Sequence, residues 1–265
     1  MPKTYTLTYG DVCENHVGME KIGELSVDGL SIECLNNIAK QFPKYSELIN
    51  LQHNPTYPPA VLLIIRNGVN LLTNGAYEEL YAEQSALNPD TKAFMRGRIV
   101  NKLARYNLCF SNEGHDPDFA NGKGTVIEFQ KVPLTRELKN ILEKLFSVSN
   151  LQCEGNYYYD TSKSTVGIQS HGDTERKIVI GVRLGDPMPL QFCWFKNFKP
   201  ISEHFRITLN GGDIYAMSSK AVGCDWKRSS IPTLRHAAGS EDFLNKEIER
   251  IKTKSGVLTD LVCIN

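Results

Sequence analysis

The spacing of hydrophobic residues divides this chain into a part with helical periods and a part with short strand-like runs. Leu35, Ile38 and Phe42 recur at the spacing that places side chains on one face of a helix, and Pro43 ends the pattern. The same reasoning predicts three further helices. They are residues 77–87, the segment containing Leu138, Ile141, Leu142, Leu145 and Phe146 with Thr135 placed to cap its start, and residues 241–254.

Short β-prone runs separated by Gly, Pro, Asp and Asn dominate the chain from about Gly155 onward. Two earlier runs, residues 4–9 and 60–66, are also predicted to be strands, and Asn67-Gly68 after the second predicts a hairpin turn. Many short strands with frequent turn signals favour a sandwich or a barrel. The later runs are residues 177–184, 190–195, 205–209, 213–217 and 233–237.

The two patterns together predict an α+β, mainly β fold in one domain. We expect residues 1–150 to form a mixed α/β N-terminal extension and residues 151–240 to form an all-β core. Residues 241–265 should form a C-terminal helix and tail. No internal repeat or linker rich in Pro, Gly or Ser argues for a second domain.

The composition is that of an ordinary globular protein, with 41% hydrophobic and 23% charged residues among 265. Its formal charge is zero and its pI is near 7.0, so contact with nucleic acid would require a local basic patch. The longest wholly apolar run, residues 60–65, is too short to cross a bilayer, and the N-terminus lacks an apolar signal segment. We therefore expect a soluble protein without a membrane partner.

Cysteine usage indicates the redox compartment. The cysteines are seven in number, are scattered and include no CxxC pair. Such a set is typical of reduced, mostly buried thiols in a cytoplasmic or nuclear protein, rather than of a disulfide framework or a zinc site. The positions are Cys13, Cys34, Cys109, Cys153, Cys193, Cys224 and Cys263.

The tripeptide His171-Gly172-Asp173, together with the distant His236, carries the most chemical information. A His and a carboxylate two residues apart on an extended segment, plus one further His, can occupy one face of an octahedral metal ion. Two nitrogens and one oxygen suit Fe(II) and leave three positions for a co-substrate and O2. The tripeptide recurs by chance in long chains, so the interpretation depends on the sequence around it.

The motifs around the tripeptide follow a recognisable order. They are Asn156-Tyr-Tyr158, Gly167-Ile168, the His-Gly-Asp tripeptide, an apolar run ending in Leu184-Gly185, the aromatic run 192–195, and Gly212-Asp213 opening a run that ends in Met217. In this order the chain resembles the AlkB-like branch of the Fe(II)/2-oxoglutarate-dependent dioxygenases. The resemblance covers roughly residues 155–240, and residues 1–150 lie outside it.

The resemblance implies a double-stranded β-helix of the jelly-roll or cupin-like kind, with N-terminal and C-terminal helices packed on it. It implies Fe(II) bound by His171, Asp173 and His236, which would be the catalytic residues, with 2-oxoglutarate and O2 as co-substrates and ascorbate as a candidate reductant. It also implies that Asn156 and Tyr158 contact 2-oxoglutarate.

Two features depart from the family pattern. The distal His usually follows a Trp closely, but Trp226 precedes Lys-Arg-Ser, and the sequence around His236 is closer to the His-Ala-Gly of prolyl-hydroxylase relatives. The basic residue that pairs with the far carboxylate of 2-oxoglutarate is also missing from its usual context. Arg183 and Arg235 are both candidates. Because neighbours on a strand face opposite ways, Arg235 and His236 can enter one cavity only if a bulge intervenes.

A basic segment between residues 92 and 110 contains no acidic residue and is interleaved with Phe94, Tyr106 and Phe110. Two interpretations remain open. The segment could contact the phosphates of a nucleic acid and stack on its bases, or it could be the solvated face of an amphipathic helix. Its basic residues are Lys92, Arg96, Arg98, Lys102 and Arg105.

We therefore expect an Fe(II)- and 2-oxoglutarate-dependent dioxygenase. It would hydroxylate or oxidatively demethylate a substrate C–H bond, with succinate and CO2 as co-products and a modified nucleobase in nucleic acid as the candidate substrate. A prolyl- or lysyl-type protein hydroxylase of the same superfamily is one alternative. A β-helix binding protein that has lost the chemistry is the alternative from a different functional class.

Overall fold

A computed structural model describes residues 1–255 of the chain. The fold is mixed α/β, and most of its regular structure consists of strands in curved sheets. No helix within the described residues is both long and apolar enough to span a membrane.

Seventeen strands and six α-helices are formed by the described residues. The strands are β1 (Thr4–Gly10), β2 (Val12–Glu14), β3 (Lys21–Gly23), β4 (Ser46–Asn50), β5 (Val61–Ile65), β6 (Lys92–Met95), β7 (Arg98–Asn101), β8 (Tyr106–Ser111), β9 (Val126–Glu128), β10 (Gln152–Tyr158), β11 (Gly167–His171), β12 (Ile180–Gly185), β13 (Met188–Lys196), β14 (Lys199–Pro200), β15 (Phe205–Leu209), β16 (Ile214–Met217) and β17 (Thr233–Gly239). The helices are α1 (Ile32–Gln41), α2 (Gly68–Thr73), α3 (Tyr77–Ser85), α4 (Pro133–Phe146), α5 (Ser219–Val222) and α6 (Glu241–Ser255).

Eight strands form the larger sheet, in the order β4-β5-β16-β12-β1-β10-β8-β9. Its pairs are antiparallel except β8 with β9. β1 lies between β10 and β12, so the N-terminal strand is central to the sheet that carries later strands. The N-terminal part of the chain therefore contributes strands to the same sheet as residues 151–240. The division of the chain into an N-terminal extension and a core stays a sequence-based prediction.

One face of the larger sheet packs against helices α1 to α4. Leu7, Val182 and Ile214 lie on this face and contact a core that contains Leu35 of α1 and Leu138 of α4. These residues alternate with polar or small ones along their strands, as expected where the two faces of a sheet meet different surroundings. The helices thus cover one face and leave the other for the second sheet.

The second sheet has the order β11-β17-β13-β14, with β15 also paired to β13. It faces the uncovered side of the larger sheet, which we call the inner face. Tyr215 and Met217 of the larger sheet pack there with Phe192, Trp194 and Leu234 of the second sheet. The predicted ligands lie at this interface between the sheets, where Asp173 and His236 are buried and His171 is half-buried.

The predicted helices and the predicted strands are confirmed, with ends that shift by a few residues. The hairpin turn at Asn67-Gly68 is wrong. Asn67 is left-handed, with φ 52°, and leads into α2 rather than into a returning strand. The reason is that β5 is already paired with β4 on one side and β16 on the other, so no free edge remains for a hairpin partner.

The predicted role of Thr135 as the cap of α4 is also wrong. The helix begins at Pro133, and the carboxylate of Glu83 on α3 accepts hydrogen bonds from the backbone N–H groups of Leu134 and Thr135, both at 2.9 Å. Thr135 donates its hydroxyl to the same carboxylate at 2.7 Å. Glu83, about fifty positions earlier in the chain, thus accepts hydrogen bonds from the free N–H groups in the first turn of α4. The local sequence around Thr135 gives no sign of this partner.

The basic segment is a hairpin rather than an amphipathic helix. Strands β6 and β7 pair around a turn in which Arg96 has φ 51° and Gly97 has φ 77°. The helical interpretation of residues 92–110 is therefore wrong, because alternating strand faces and the Gly97 turn replace a helical period.

The described cysteines are free thiols, in agreement with the expected absence of disulfides among them. Cys13, Cys109, Cys153 and Cys193 are buried, and Cys34 and Cys224 are half-buried. Cys263 lies outside the described residues.

Removing the Asp213 carboxylate should destabilise the protein. Asp213 is buried and accepts hydrogen bonds from Arg66 at 2.6 Å and from the backbone N–H groups of Asn67 and Asn210. Asp213→Ala removes the acceptor of the backbone N–H groups of Asn67 and Asn210 and the buried partner of Arg66, and should lower the free energy of unfolding by about 3 kcal/mol in urea titrations. Glu47→Ala is the matched control, since Glu47 pairs with the same arginine but its side chain is 46% exposed, and it should cost less than about 1 kcal/mol. Equal losses in the two variants would contradict the prediction.

Candidate metal centre

His171 and His236 lie opposite each other on the paired strands β11 and β17. The pairing of Ile168 with Ala238 and of His171 with His236 leaves one extra residue in β11, which is a bulge. The bulge adjusts the direction of the His171 side chain at the end of its strand. The two imidazole rings lie 4.5 Å apart between centroids, at an interplanar angle of 61°.

Asp173 completes the group. Its Oδ1 atom lies 3.4 Å from Nε2 of His171 and 3.8 Å from Nε2 of His236. One ligand atom from each of the three residues lies within 4.8 Å of the others. Ligands bound at right angles to one ion at about 2.1 Å would be roughly 3 Å apart, so small adjustments bring these atoms to bonding positions. The donor set, two nitrogens and one carboxylate oxygen, fits Fe(II) and leaves open positions.

Gly172 is required by the packing around the tripeptide. A Cβ atom at this position would lie 2.1 Å from the carbonyl oxygen of Gly223, which belongs to the segment after α5. Val222, the last residue of α5, accepts a hydrogen bond from the N–H of Asp173 through its carbonyl at 3.0 Å. The end of α5 thus holds the Asp173 backbone in place, and only glycine at position 172 leaves room for the following Gly223.

The hydrogen bonds around His171 leave its Nε2 atom directed at the group. Nδ1 of His171 lies 2.7 Å from the carbonyl oxygen of Gln169, to which it donates in the Nδ1–H tautomer. Burial alone would lower the pKa of His171, but the hydrogen bond and charge of Asp173 outweigh this and raise it. Burial, assisted by the charge of His171, lowers the pKa of His236 to about 4, so His236 is neutral at physiological pH and has one free nitrogen lone pair for a metal.

Arg176 and Glu154 support the Asp173 carboxylate, and sequence reasoning missed both. Nη2 of Arg176 donates to Glu154 at 2.5 Å, and Nε of Arg176 lies 3.9 Å from the second oxygen of Asp173. Burial would raise the pKa of Asp173, but His171, His236 and Arg176 hold it well below its usual range. The sequence feature that could have identified Arg176 as a partner of Asp173 is their i, i+3 spacing. That spacing is too common in proteins to predict an ion pair by itself.

A cavity of about 870 Å³ opens between the two sheets, and the three candidate ligands line it. We call it the central cavity. Arg183 of β12 also lines it, is fully buried, and donates to Oγ1 of Thr6 at 2.7 Å. Its Nε atom has no hydrogen-bond partner within the described residues. Burial lowers the pKa of Arg183, which means that its charge is poorly compensated. An anionic group in the cavity would supply the missing partner.

Asn156 and Tyr158 line the central cavity as well. Asn156 accepts a hydrogen bond from Nε of Arg105 at 2.6 Å and donates to Glu154 at 3.0 Å, so its amide is occupied. Burial raises the pKa of Tyr158, which keeps its hydroxyl protonated and available as a donor. Tyr215 of β16 lines the same cavity, and sequence reasoning did not identify it.

Arg235 does not enter the central cavity. The pairing of β17 with β13 is regular, with Phe192 opposite His236 and Cys193 opposite Arg235. Neighbours on β17 therefore face opposite sides, and the bulge lies on β11 instead. The guanidinium of Arg235 lies over the ring of Phe195 on the outer face of the second sheet, 4.1 Å from its centroid.

The five basic residues of the 92–110 segment are separated by the fold. Lys92, Arg96 and Arg98 are exposed on the β6–β7 hairpin, and Arg105 lines the central cavity. Lys102 is buried and donates to the side chains of Asn15 and Asn107, and burial lowers its pKa to about 8. Lys102 is thus unable to reach a phosphate, and the buried Phe110 is unable to stack on a base.

Comparison with known proteins places the chain in a family. No family model matches it. It is 45% identical over 251 residues to "Uncharacterized protein R156" of Acanthamoeba polyphaga mimivirus, and the match covers 91% of this chain and 98% of that protein. The chain therefore belongs to the same family as that viral protein. The name of this relative states no activity.

The three candidate ligands predict one divalent metal site. Purified protein should bind one equivalent of Co²⁺, a spectroscopic substitute for Fe(II), measured by its visible absorption and by elemental analysis. His171→Ala, Asp173→Ala and His236→Ala should each weaken binding by about 100-fold or more, since each removes a third of the ligands. The control is His204→Ala, a half-buried histidine outside the group. Full metal occupancy in the three ligand variants would exclude the site.

Proposed function

We propose that this chain is an Fe(II)- and 2-oxoglutarate-dependent dioxygenase. The observation that carries the proposal is the convergence of Nε2 of His171, Oδ1 of Asp173 and Nε2 of His236 at one wall of the central cavity. Bound Fe(II) with 2-oxoglutarate and O2 would supply the oxidation of a substrate C–H bond, with succinate and CO2 as co-products. Three protein ligands would leave positions on the metal open for both co-substrates, as this chemistry requires.

Arg183 is proposed to hold the far carboxylate of 2-oxoglutarate. It is buried in the same cavity as the three ligands, and its Nε–H has no partner within the described residues. A guanidinium is suited to this role because two of its N–H groups can donate to one carboxylate. Tyr158 lines the same cavity and is proposed to donate its hydroxyl to 2-oxoglutarate, with Asn156 beside it.

The proposed fold type is the double-stranded β-helix. Two curved, largely antiparallel sheets face each other, and the candidate ligands lie on the second sheet and directly after it. This arrangement supports the proposal because the cavity is enclosed by strands on both sides. Asp173 and His236 are buried there, so water has limited access to these two candidate ligands.

We propose that the substrate is a modified base in a nucleic acid. Arg105 and Lys227 line the central cavity, and three further cations, Lys92, Arg96 and Arg98, are exposed on the hairpin that precedes Arg105. Together they provide positive charge for a phosphate backbone on a chain that is neutral overall. A base would have to leave its stack to reach the buried ligands.

The enzyme proposal predicts turnover of 2-oxoglutarate. Protein incubated with Fe(II), ascorbate, O2 and 2-oxoglutarate should release succinate slowly without a substrate, and faster with single-stranded DNA or RNA that carries methylated bases. His171→Ala should abolish succinate release, while His204→Ala should retain it. If the unaltered protein binds metal but releases no succinate under these conditions, it is a binding protein and the proposal fails.

The proposed role of Arg183 predicts that substitutions at Arg183 and at Arg235 differ in their effect on the KM for 2-oxoglutarate. Arg183→Lys keeps the charge but loses the paired donors, and should raise the KM for 2-oxoglutarate by about tenfold with a smaller effect on kcat. The same substitution at Arg235, which lies outside the central cavity, should change the KM far less. A larger effect at Arg235 than at Arg183 would reverse the assignment. Thermal unfolding of both variants checks that each is folded.

A further inference from the structure

A second pocket, of about 330 Å³, lies on the outer face of the second sheet and is lined by Arg235. We call it the outer pocket. Arg235, which lines it, is the chain neighbour of the candidate ligand His236. Because successive residues of a strand alternate between its two faces, the outer pocket lies behind β17, the strand that carries His236. Arg235 was a candidate for binding 2-oxoglutarate, and its placement here leaves its role to be explained.

Arg235 is a buried cation without a compensating charge. The residue is only 9% exposed, and its Nε atom has no hydrogen-bond partner within the described residues. The guanidinium lies against the rings of Phe195 and Trp226, and its Nη2 atom donates a long hydrogen bond to the carbonyl of Trp226 at 3.4 Å. Such a group is costly unless a ligand satisfies it.

The other charged residues of the outer pocket leave an excess of positive charge. Lys199, Arg235 and Arg250 line it together with one carboxylate, that of Glu247. Glu247 is fully engaged, because one of its oxygens accepts from Nη2 of Arg250 at 2.6 Å and the other from the backbone N–H of Ser170 at 3.0 Å. Three cations and one anion give a formal excess of two positive charges. Nε of Arg250 is a second buried donor without a hydrogen-bond partner among residues 1–255.

An aromatic side chain is held at the edge of the pocket in a costly conformation. Asn197 and Phe198 form the turn between β13 and β14, with φ of 51° and 60°. Turns of this kind favour Asn and Gly, and a bulky residue with positive φ is strained. Phe198 is nevertheless 61% exposed, and its ring centroid lies 5.9 Å from the Arg235 guanidinium. The ring thus borders the cationic part of the pocket and remains accessible to a ligand.

We propose that the outer pocket binds a small organic phosphate, with the phosphate on Arg235 and Lys199 and an apolar or aromatic group against Phe198. A phosphate monoester carries close to two negative charges at neutral pH, which matches the excess of two positive charges. Its oxygens accept several hydrogen bonds, as the free donors of Arg235 and Arg250 require. The volume is larger than one phosphate ion needs and lies at the lower end of the range for ligand sites. The proposal does not depend on the dioxygenase activity.

The test is phosphate binding to metal-free protein. Inorganic phosphate and phenyl phosphate are titrated by calorimetry and by thermal unfolding, with sulfate-free buffer and constant ionic strength. Phenyl phosphate should bind more tightly than inorganic phosphate, and Phe198→Ala should reduce that advantage. Arg235→Gln should weaken binding of both by about tenfold or more, since it removes a charge-assisted contact.

Arg206→Gln is the matched control, because Arg206 lies on β15, pairs with Glu241 and does not line the pocket. It should leave the affinity for phosphate within about twofold, which separates a local contact from a general effect of charge. Lys199→Ala alters an exposed side chain and should weaken binding even if Arg235→Gln does not fold. His171→Ala should bind both phosphates normally, so that failure of the metal site and failure of this proposal are distinguishable. Absence of binding to the unaltered protein, or equal binding by Arg235→Gln, would refute the proposal.

Discussion

The pairing of β11 with β17 is the constraint on which the candidate site depends. It places His171 directly opposite His236, although the two residues are far apart in sequence. The extra residue in β11 makes this possible, because an unbulged pairing from Ile168 and Ala238 would put Ser170 opposite His236 instead. Asp173 follows two residues after His171 and lies beside both histidines, because glycine at position 172 leaves room for the neighbouring Gly223. The strand register, the bulge in β11 and Gly172 together bring His171, Asp173 and His236 into one group of candidate metal ligands.

Bringing these groups together has an electrostatic cost that further charges offset. Asp173 is buried among two imidazoles and Arg176, and Arg176 in turn is buried against Glu154. A buried carboxylate is stable only when donors surround it, and a buried guanidinium only when acceptors do. The chain from Asp173 through Arg176 to Glu154 meets both conditions and connects the second sheet's ligands to β10 of the larger sheet. The site is therefore preorganised by its own ion pairs before any metal binds.

Much of the local structure follows from periodicity, whereas the residues that complete each feature come from distant parts of the chain. The helix spacing of Leu35, Ile38 and Phe42 predicted α1, but the partner of Thr135 was Glu83 on another helix. The tripeptide predicted which ligands to examine, and a sequence pattern identified Arg183 only as one of two candidates. The fold separates the two arginines because the pairing of β12 and of β17 determines which face each side chain occupies. Long-range pairing of this kind leaves no signal in a single sequence.

The same alternation explains why one strand can serve two chemically different pockets. On β17, His236 faces the central cavity, and Arg235 faces the outer pocket. A slip of one residue against β13 would exchange them, placing a guanidinium beside the other candidate ligands and an imidazole outside. The slip is opposed by Leu234 and Ala238, which lie on the same face as His236 and pack in the core between the sheets. The apolar residues that keep His236 in the central cavity therefore also determine the position of Arg235. Because Arg235 is the neighbour of His236 on the strand, it stays buried on the opposite face, with its charge in the outer pocket.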